Sequence, residues 1–206
     1  MNREEFLISY WKYYTILEND FITLTRYVSI DEHNYKTYSD EIMKQILSVV
    51  SEFENICKVI CEFKGSQRIT IKNIAECIFD KIEDIKSVEI VVKHKKDIKL
   101  NPFSKWEKNN SSELFWWKGY NSVKHNRRES YMAGNLENLL NALAALYYME
   151  LYLVRKIGRN NGDKDVPNSV SKLFEIVNFE TKDTVIGYDL YTMTDEDCEE
   201  IIELFK

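Results

Sequence analysis

Apolar residues along this chain recur mostly at intervals of three and four, the spacing of helices that turn one face to a core. Over residues 3–28 the stripe is Phe6, Tyr10, Tyr13, Leu17, Phe21 and Leu24, with Asn2 placed to cap it and Glu4 and Glu5 suited to its first turn. A polar connection over 29–38 leads to a second predicted helix, from Ser39 to Phe63. Its stripe is Ile42, Ile46, Val49, Val50, Phe53, Ile56, Cys57, Ile60 and Cys61, and Gly65 stands where a stop is needed. Ile71, Ile74, Ala75, Ile78, Phe79 and Ile82 predict a third, shorter helix over 70–85.

The period then changes. Val88, Ile90, Val91 and Val92 are β-branched, and with the turn that follows they predict a small hairpin or an irregular excursion ending near residue 103. A tryptophan-rich helix comes next, opened by Ser111 or Ser112, in which Gly119 points to close backbone packing. After a turn at 131–135, Leu136, Leu139, Leu140, Leu143, Leu146, Tyr147, Leu151 and Val154 wrap more than one face of a long helix. That helix should be central, with Arg155 and Lys156 at its carbonyl end and Gly158 closing it. Residues 159–169 read as a loop without core-forming residues. Weak alternation over 173–192 reads as short strands, and a capping box from Thr194 to Asp197 opens a last helix bearing Cys198, Ile201, Ile202 and Phe205. The expected fold is mainly α, an antiparallel four- to five-helix bundle with β excursions near 88–103 and 173–192. It is read as one domain over 1–206, with a basic β insertion at about 86–108 and a C-terminal extension at about 159–206.

Composition narrows the class further. The 206 residues suit a single domain, and six Gly with two Pro disfavour an all-β fold built on tight turns. The longest apolar run is interrupted by Asn141 and Glu150, short of a membrane span, so no membrane partner is expected. The first residues are acidic and aromatic where a signal peptide is basic, which makes the expected location cytoplasmic. In keeping with that, Cys57, Cys61, Cys77 and Cys198 form no C-x-x-C pair and are read as buried free thiols. The three histidines are too dispersed for zinc. There is no glycine-rich phosphate loop, G-x-S-x-G, H-E-x-x-H or ligand-spaced carboxylate cluster, so neither metal nor cofactor is expected.

Net charge is −6, yet residues 86–128 hold eleven bases against four acids, a local +7 that leaves −13 elsewhere. A basic zone on an acidic body points to a localised anionic partner, with a solvated lysine-rich loop as the alternative for Lys93 to Lys99. Within this zone Lys118, Asn121, His125 and Arg128 are three, four and three apart, so one helix would carry them on a single stripe. Tyr120, Lys124 and Arg127 form a second row beside it, and Phe115, Trp116 and Val123 can anchor the helix behind. Cations, an amide and an imidazole without a carboxylate suit an anion. Of Trp116 and Trp117 at least one belongs in the core, leaving Trp117 as the candidate for stacking on a base.

The stretch Tyr120-Asn121-Ser122-Val123-Lys124-His125 resembles the motif of the HEPN superfamily, helical proteins that are mostly ribonucleases of defence and toxin systems. That motif has an Arg, a polar residue that is often Asn, a few further residues and a His, near the start of a late helix of a bundle. Asn121 and His125 match, whereas Tyr120 stands where the Arg should be. The resemblance is close over six residues and loose over 1–157, and the surrounding tryptophans and bases are similar to phage-defence and mobile-element proteins. It implies a metal-independent endoribonuclease in which His125 moves the proton of the RNA 2′-OH. Asn121 would orient the phosphate or the imidazole, and the charge missing at Tyr120 would come from Lys124, Arg127 or Arg128, the last sharing the face of His125. It also implies a homodimer that joins two half-sites, single-stranded RNA as partner, and a cognate partner protein.

Two other readings use the same residues. One is a catalytically inactive helical module for protein interaction or dimerisation, favoured by Tyr120. The other is an internal polar network joining Lys118, Asn121, His125 and Arg128 to Glu129, Glu137 or Glu150.

Overall fold

The computed structural model describes residues 1–64, 69–108 and 114–177, together with the backbone of 184–186 and 191–193. The first helix, α1, is made of three consecutive stretches: Arg3–Phe6, a π-helical turn Leu7–Trp11, and Lys12–Leu24. Asn2 caps it through a reciprocal box with Glu5. The π turn explains why the buried stripe departs from the predicted one. Lys12 donates its N–H to Leu7 O, a wider loop than an α turn, and the added residue moves the core-facing phase from Tyr10 and Tyr13 to Trp11 and Tyr14. Tyr13 is exposed as a result, while Leu17, Phe21 and Leu24 keep their places in the core.

Helix α2, Asp40–Ile60, starts where Ser39 accepts from the Ile42 N–H, and its apolar stripe from Ile42 to Ile60 is buried as the spacing predicts. It ends before Gly65, with Glu62 taking a left-handed φ of 56°. Helix α3, Ile71–Lys81, opens on a capping box between Thr70 and Asn73. The hairpin forms as expected: β1, Ile90–Val92, pairs antiparallel with β2, Lys95–Leu100.

Helix α4, Phe115–His125, begins at Leu114 without a side-chain cap; the serines predicted to open it lie outside the described residues. After a short turn, Asn135 caps α5, Leu136–Asn161, by accepting from the Asn138 N–H. Helix α5 is central, with its main packing against α2 and further contact with α4 and α1. It does not end at Gly158 but runs on to Gly162, whose φ of 64° terminates it. Gly158 serves packing instead: a Cβ there would stand 2.5 Å from the carbonyl oxygen of Lys164.

The segment after α5 is more than a polar loop. Val166 is buried, Arg3 donates two hydrogen bonds to its carbonyl, and Trp11 Nε1 donates to Ser169 Oγ at 2.8 Å. Glu18, buried on α1, accepts from Tyr14 Oη, Ser171 Oγ and the N–H groups of Lys172 and Leu173. So clamped, the chain enters β3, Phe174–Ile176, which pairs antiparallel with β1 and completes a sheet of order β2-β1-β3. A second antiparallel pair joins β4, Thr184–Ile186, and β5, Tyr191–Met193. The predicted C-terminal helix with Cys198 lies outside the described residues. The fold is therefore mainly helical with a small three-stranded antiparallel sheet. No helix among the described residues is long and apolar enough to cross a membrane.

The cysteine expectation needs correction. Cys61, at the end of α2, and Cys77, on α3, are joined by a disulfide with Cα atoms 6.0 Å apart. Spacing along the chain could not show this pair, because it depends on how α3 packs against the end of α2. Only Cys57 matches the expectation among the described residues: it is buried and free, and burial pushes its thiol well above the ordinary range. Since disulfides are rare in reducing compartments, the cysteines no longer argue for a cytoplasmic location. Reduction, or Cys77→Ser, should lower stability by about 3 kcal/mol, from the chain entropy of a loop this size. Thermal unfolding with and without reductant checks this; an unchanged midpoint would show that the bond constrains nothing.

A second liability lies in the core. Glu150 of α5 is fully buried and neither carboxyl oxygen has a hydrogen-bond partner among the described residues. Burial, with Glu52 of α2 nearby, pushes its pKa well above the usual carboxylate range and so favours the protonated acid in the folded state. A raised folded pKa means that the group costs nothing below its unfolded value, and that stability is lost as pH rises above it. Glu150→Met should therefore stabilise the protein at pH 7 by about 1–3 kcal/mol, and much less at pH 4. Denaturant melts at the two pH values test it, and an equal gain at both would refute the assignment.

Candidate functional site

Helix α4 is held by its aromatic inner face. Trp116 is fully buried, meets Phe53 of α2 edge-on at 5.0 Å, and donates from Nε1 to Pro102 O at 2.9 Å. Phe103 and Trp106, on the segment returning from β2, pack around the same Phe53. Gly119 lets α4 close on the start of α5. A Cβ there would fall 2.3 Å from Asn138 Nδ2, which is itself donating to Ala133 O at 2.8 Å. The packing read from this glycine is thus present in the structure.

The outer face carries the predicted polar stripe, but only in part. Lys118, Lys124 and His125 are exposed and Asn121 is half-buried. The helix ends at His125, and Asn126, with φ −143° and ψ 64°, breaks it before the four-residue turn Arg127–Ser130. Arg127 and Arg128 are exposed as well, but Arg128 does not sit one turn further along the helix of His125. Three of the four stripe residues share α4, and the fourth belongs to the next element. The helix-breaking Asn126, whose side chain donates to Glu129 at 2.6 Å, was the missed signal.

The two aromatic members behave differently from the expectation. Tyr120 and Trp117 are buried, at 4% and 6% exposure, with ring centroids 5.4 Å apart. Neither offers a free ring face for a base. The physical reason is that the apolar arc of α4 is wide enough to draw in Trp116, Trp117, Tyr120 and Val123 together. Tyr120 still acts on the site, since its hydroxyl accepts from Lys124 Nζ at 2.9 Å and the ammonium lies 5.1 Å from the ring centroid. These contacts raise the Lys124 pKa and tether its charge close to the helix.

Charge is redistributed relative to the sequence count. Lys86 pairs with Glu107, Lys99 with Glu89, Lys108 with Asp80, and Lys95 with Asp31, while Lys93 donates to Ser171 O. Much of the positive charge brought by the hairpin is therefore answered by local acids. The side chains of Lys118, His125, Arg127 and Arg128, in contrast, have no hydrogen-bond or ion-pair partner among the described residues. The acids of the internal-network reading are engaged elsewhere or enclosed: Glu129 with Asn126, Glu137 with Lys36, and Glu150 in the core. What remains is a cationic helix end with one imidazole, able to bind an anion and, through the imidazole, to move a proton. No group of His, Cys, Asp and Glu among the described residues could hold a metal ion.

Gly119→Ala would push into Asn138 and break its bond to Ala133, costing about 1–3 kcal/mol as an overpacked contact. Chemical denaturation checks the loss, which Gly119→Ala combined with Asn138→Ala should partly restore.

Comparison with models of known protein families, with curated proteins and with solved structures finds no match to this chain.

Proposed function

We propose that the carboxyl end of α4, with the Arg127–Ser130 turn, binds the phosphate backbone of single-stranded RNA, and that His125 makes the site a metal-independent endoribonuclease of defence or toxin type. The observation that carries this reading is the set of groups without a partner among the described residues, Lys118, His125, Arg127 and Arg128, on a chain whose neighbouring lysines mostly have partners. On a body of net charge −6 such a local cation cluster would pull polyanions to one face. His125 would take the 2′-OH proton and return a proton to the leaving 5′-oxygen, a role typically contributing about 10²–10⁴-fold. Arg128 and Lys124 would clamp the phosphate and Asn121 would orient it. In this reading the helices pack as a HEPN-like antiparallel bundle, and a twofold pairing of two copies concentrates the positive potential.

A second reading has an observation of its own. Tyr120, at the position of the motif Arg, is buried and tethers Lys124, which leaves no cation at that place and suits an inactive interaction or dimerisation module.

RNA binding should weaken linearly with the logarithm of salt, because phosphate contacts release counterions. Arg127→Gln with Arg128→Gln should cut affinity for unstructured RNA about tenfold, with the thermal midpoint unchanged, since both side chains are exposed. His125→Ala should abolish cleavage and leave binding intact. Salt-dependent binding without cleavage by either protein would remove the catalytic role and also argue against a protein-interaction module, because phosphate contacts release counterions. Absence of salt-dependent binding would remove the RNA reading altogether.

A further inference from the structure

On another part of the molecule, an open cavity of about 540 Å³ lies between the end of α1, the turn after β1 and the segment entering β3. Its floor is apolar, formed by Ile30, Val92 and Leu173, all buried. Its rim carries His94, Lys95 and Lys172, and no carboxylate among the described residues lines it. The walls are fixed before any ligand arrives. Lys93 donates its backbone N–H to Leu173 O and its ammonium to Ser171 O, while Glu18 holds the N–H groups of Lys172 and Leu173. The volume falls in the range of small-molecule sites, which combine an apolar body with a few placed polar groups.

The rim charges are only weakly answered. Lys172 Nζ donates to the neutral amide oxygen of Asn19 at 3.1 Å. Lys95 Nζ stands 3.8 Å from Asp31, an acid whose nearer partner is His33 at 2.7 Å. The His94 side chain has no partner among the described residues. We infer that this cavity binds a small amphipathic carboxylate, its hydrocarbon body on Ile30, Val92 and Leu173 and its anionic head between Lys95, Lys172 and His94. A neutral hydrocarbon would leave the cations unanswered, and a polyanion would have no use for the apolar floor. The site is separate from the α4 end and does not depend on the RNA reading.

The probe is anilinonaphthalene sulfonate, an aromatic body with one anionic head, followed by fluorescence and displaced by hexanoate, octanoate or decanoate and by the matching alcohols. One saturable site is expected. Competition should strengthen about fourfold for each methylene added until the cavity is full. Alcohols should compete at least tenfold more weakly than the carboxylates. Lys95→Gln with Lys172→Gln should weaken octanoate about tenfold and leave octanol unchanged, while Ser29→Trp, an exposed residue at the mouth, should block both. Thermal melts of both variants confirm that they fold. Equal competition by alcohols and carboxylates, no dependence on chain length, or non-saturable probe binding would each overturn the inference.

Discussion

The contact on which the rest of the structure depends is the aromatic wedge around Phe53. Phe53 of α2 meets Trp116 of α4, Phe103 and Trp106 of the segment after β2, and Trp117. Tyr148 of α5 closes on Phe103 and Phe79 of α3 on Trp106. Elements far apart in sequence thus share one block of large rings, each with far more buried area than an aliphatic side chain. Trp116 adds direction, since its indole N–H must find Pro102 O and so sets how deeply α4 sits. With that depth given, the polar arc of the helix has nowhere to face except solvent.

Much of this was legible in the chain, and the failures have identifiable physical causes. The stripes of α2 and α5 were readable because a long amphipathic repeat has one phase that buries every apolar residue. In α1 the repeat slipped, because a π turn adds one residue without changing composition, and Tyr13 gave way to Tyr14. Gly158 read as a stop because glycine ends helices when its φ is positive. Here it lies within a helix, under the Lys164 carbonyl, and Gly162 has the positive φ. The disulfide between Cys61 and Cys77 and the pairing of β3 with β1 depend on the return path of the chain, which no local period encodes.

At the candidate site the same limit appears at smaller scale. Helical spacing placed Lys118, Asn121 and His125 together and α4 carries all three, but spacing assumed a continuous helix through Asn126. The break moves the two arginines onto a separate turn, so their position relative to His125 depends on a connection rather than on a rigid helix. Counting charge along the sequence had a similar weakness. It weighed the hairpin lysines and the α4 cations alike, whereas Glu89, Glu107, Asp80 and Asp31 meet the first group and none of them meets the second.

Two buried glutamates show what polar burial requires of this fold. Glu18 has four donors around it and joins α1 to the strand-forming segment, while Glu150 has no hydrogen-bond partner among the described residues, and its burial favours the protonated acid. An acid surrounded by donors contributes to specificity, because few other packings would satisfy it; an acid without them only opposes folding as pH rises. The α4 end differs from both, since its cations are in water and carry no such cost. Changes at Lys118, Arg127 or Arg128 should therefore act on binding, and a change at His125 on cleavage, with the core left alone. Tyr120 is the exception. Its ring belongs to the core and its hydroxyl to Lys124, so any substitution there changes packing and surface charge together. An arginine installed at this position would have to leave the apolar face of α4, so that single exchange would disturb the packing before it added a charge to the surface.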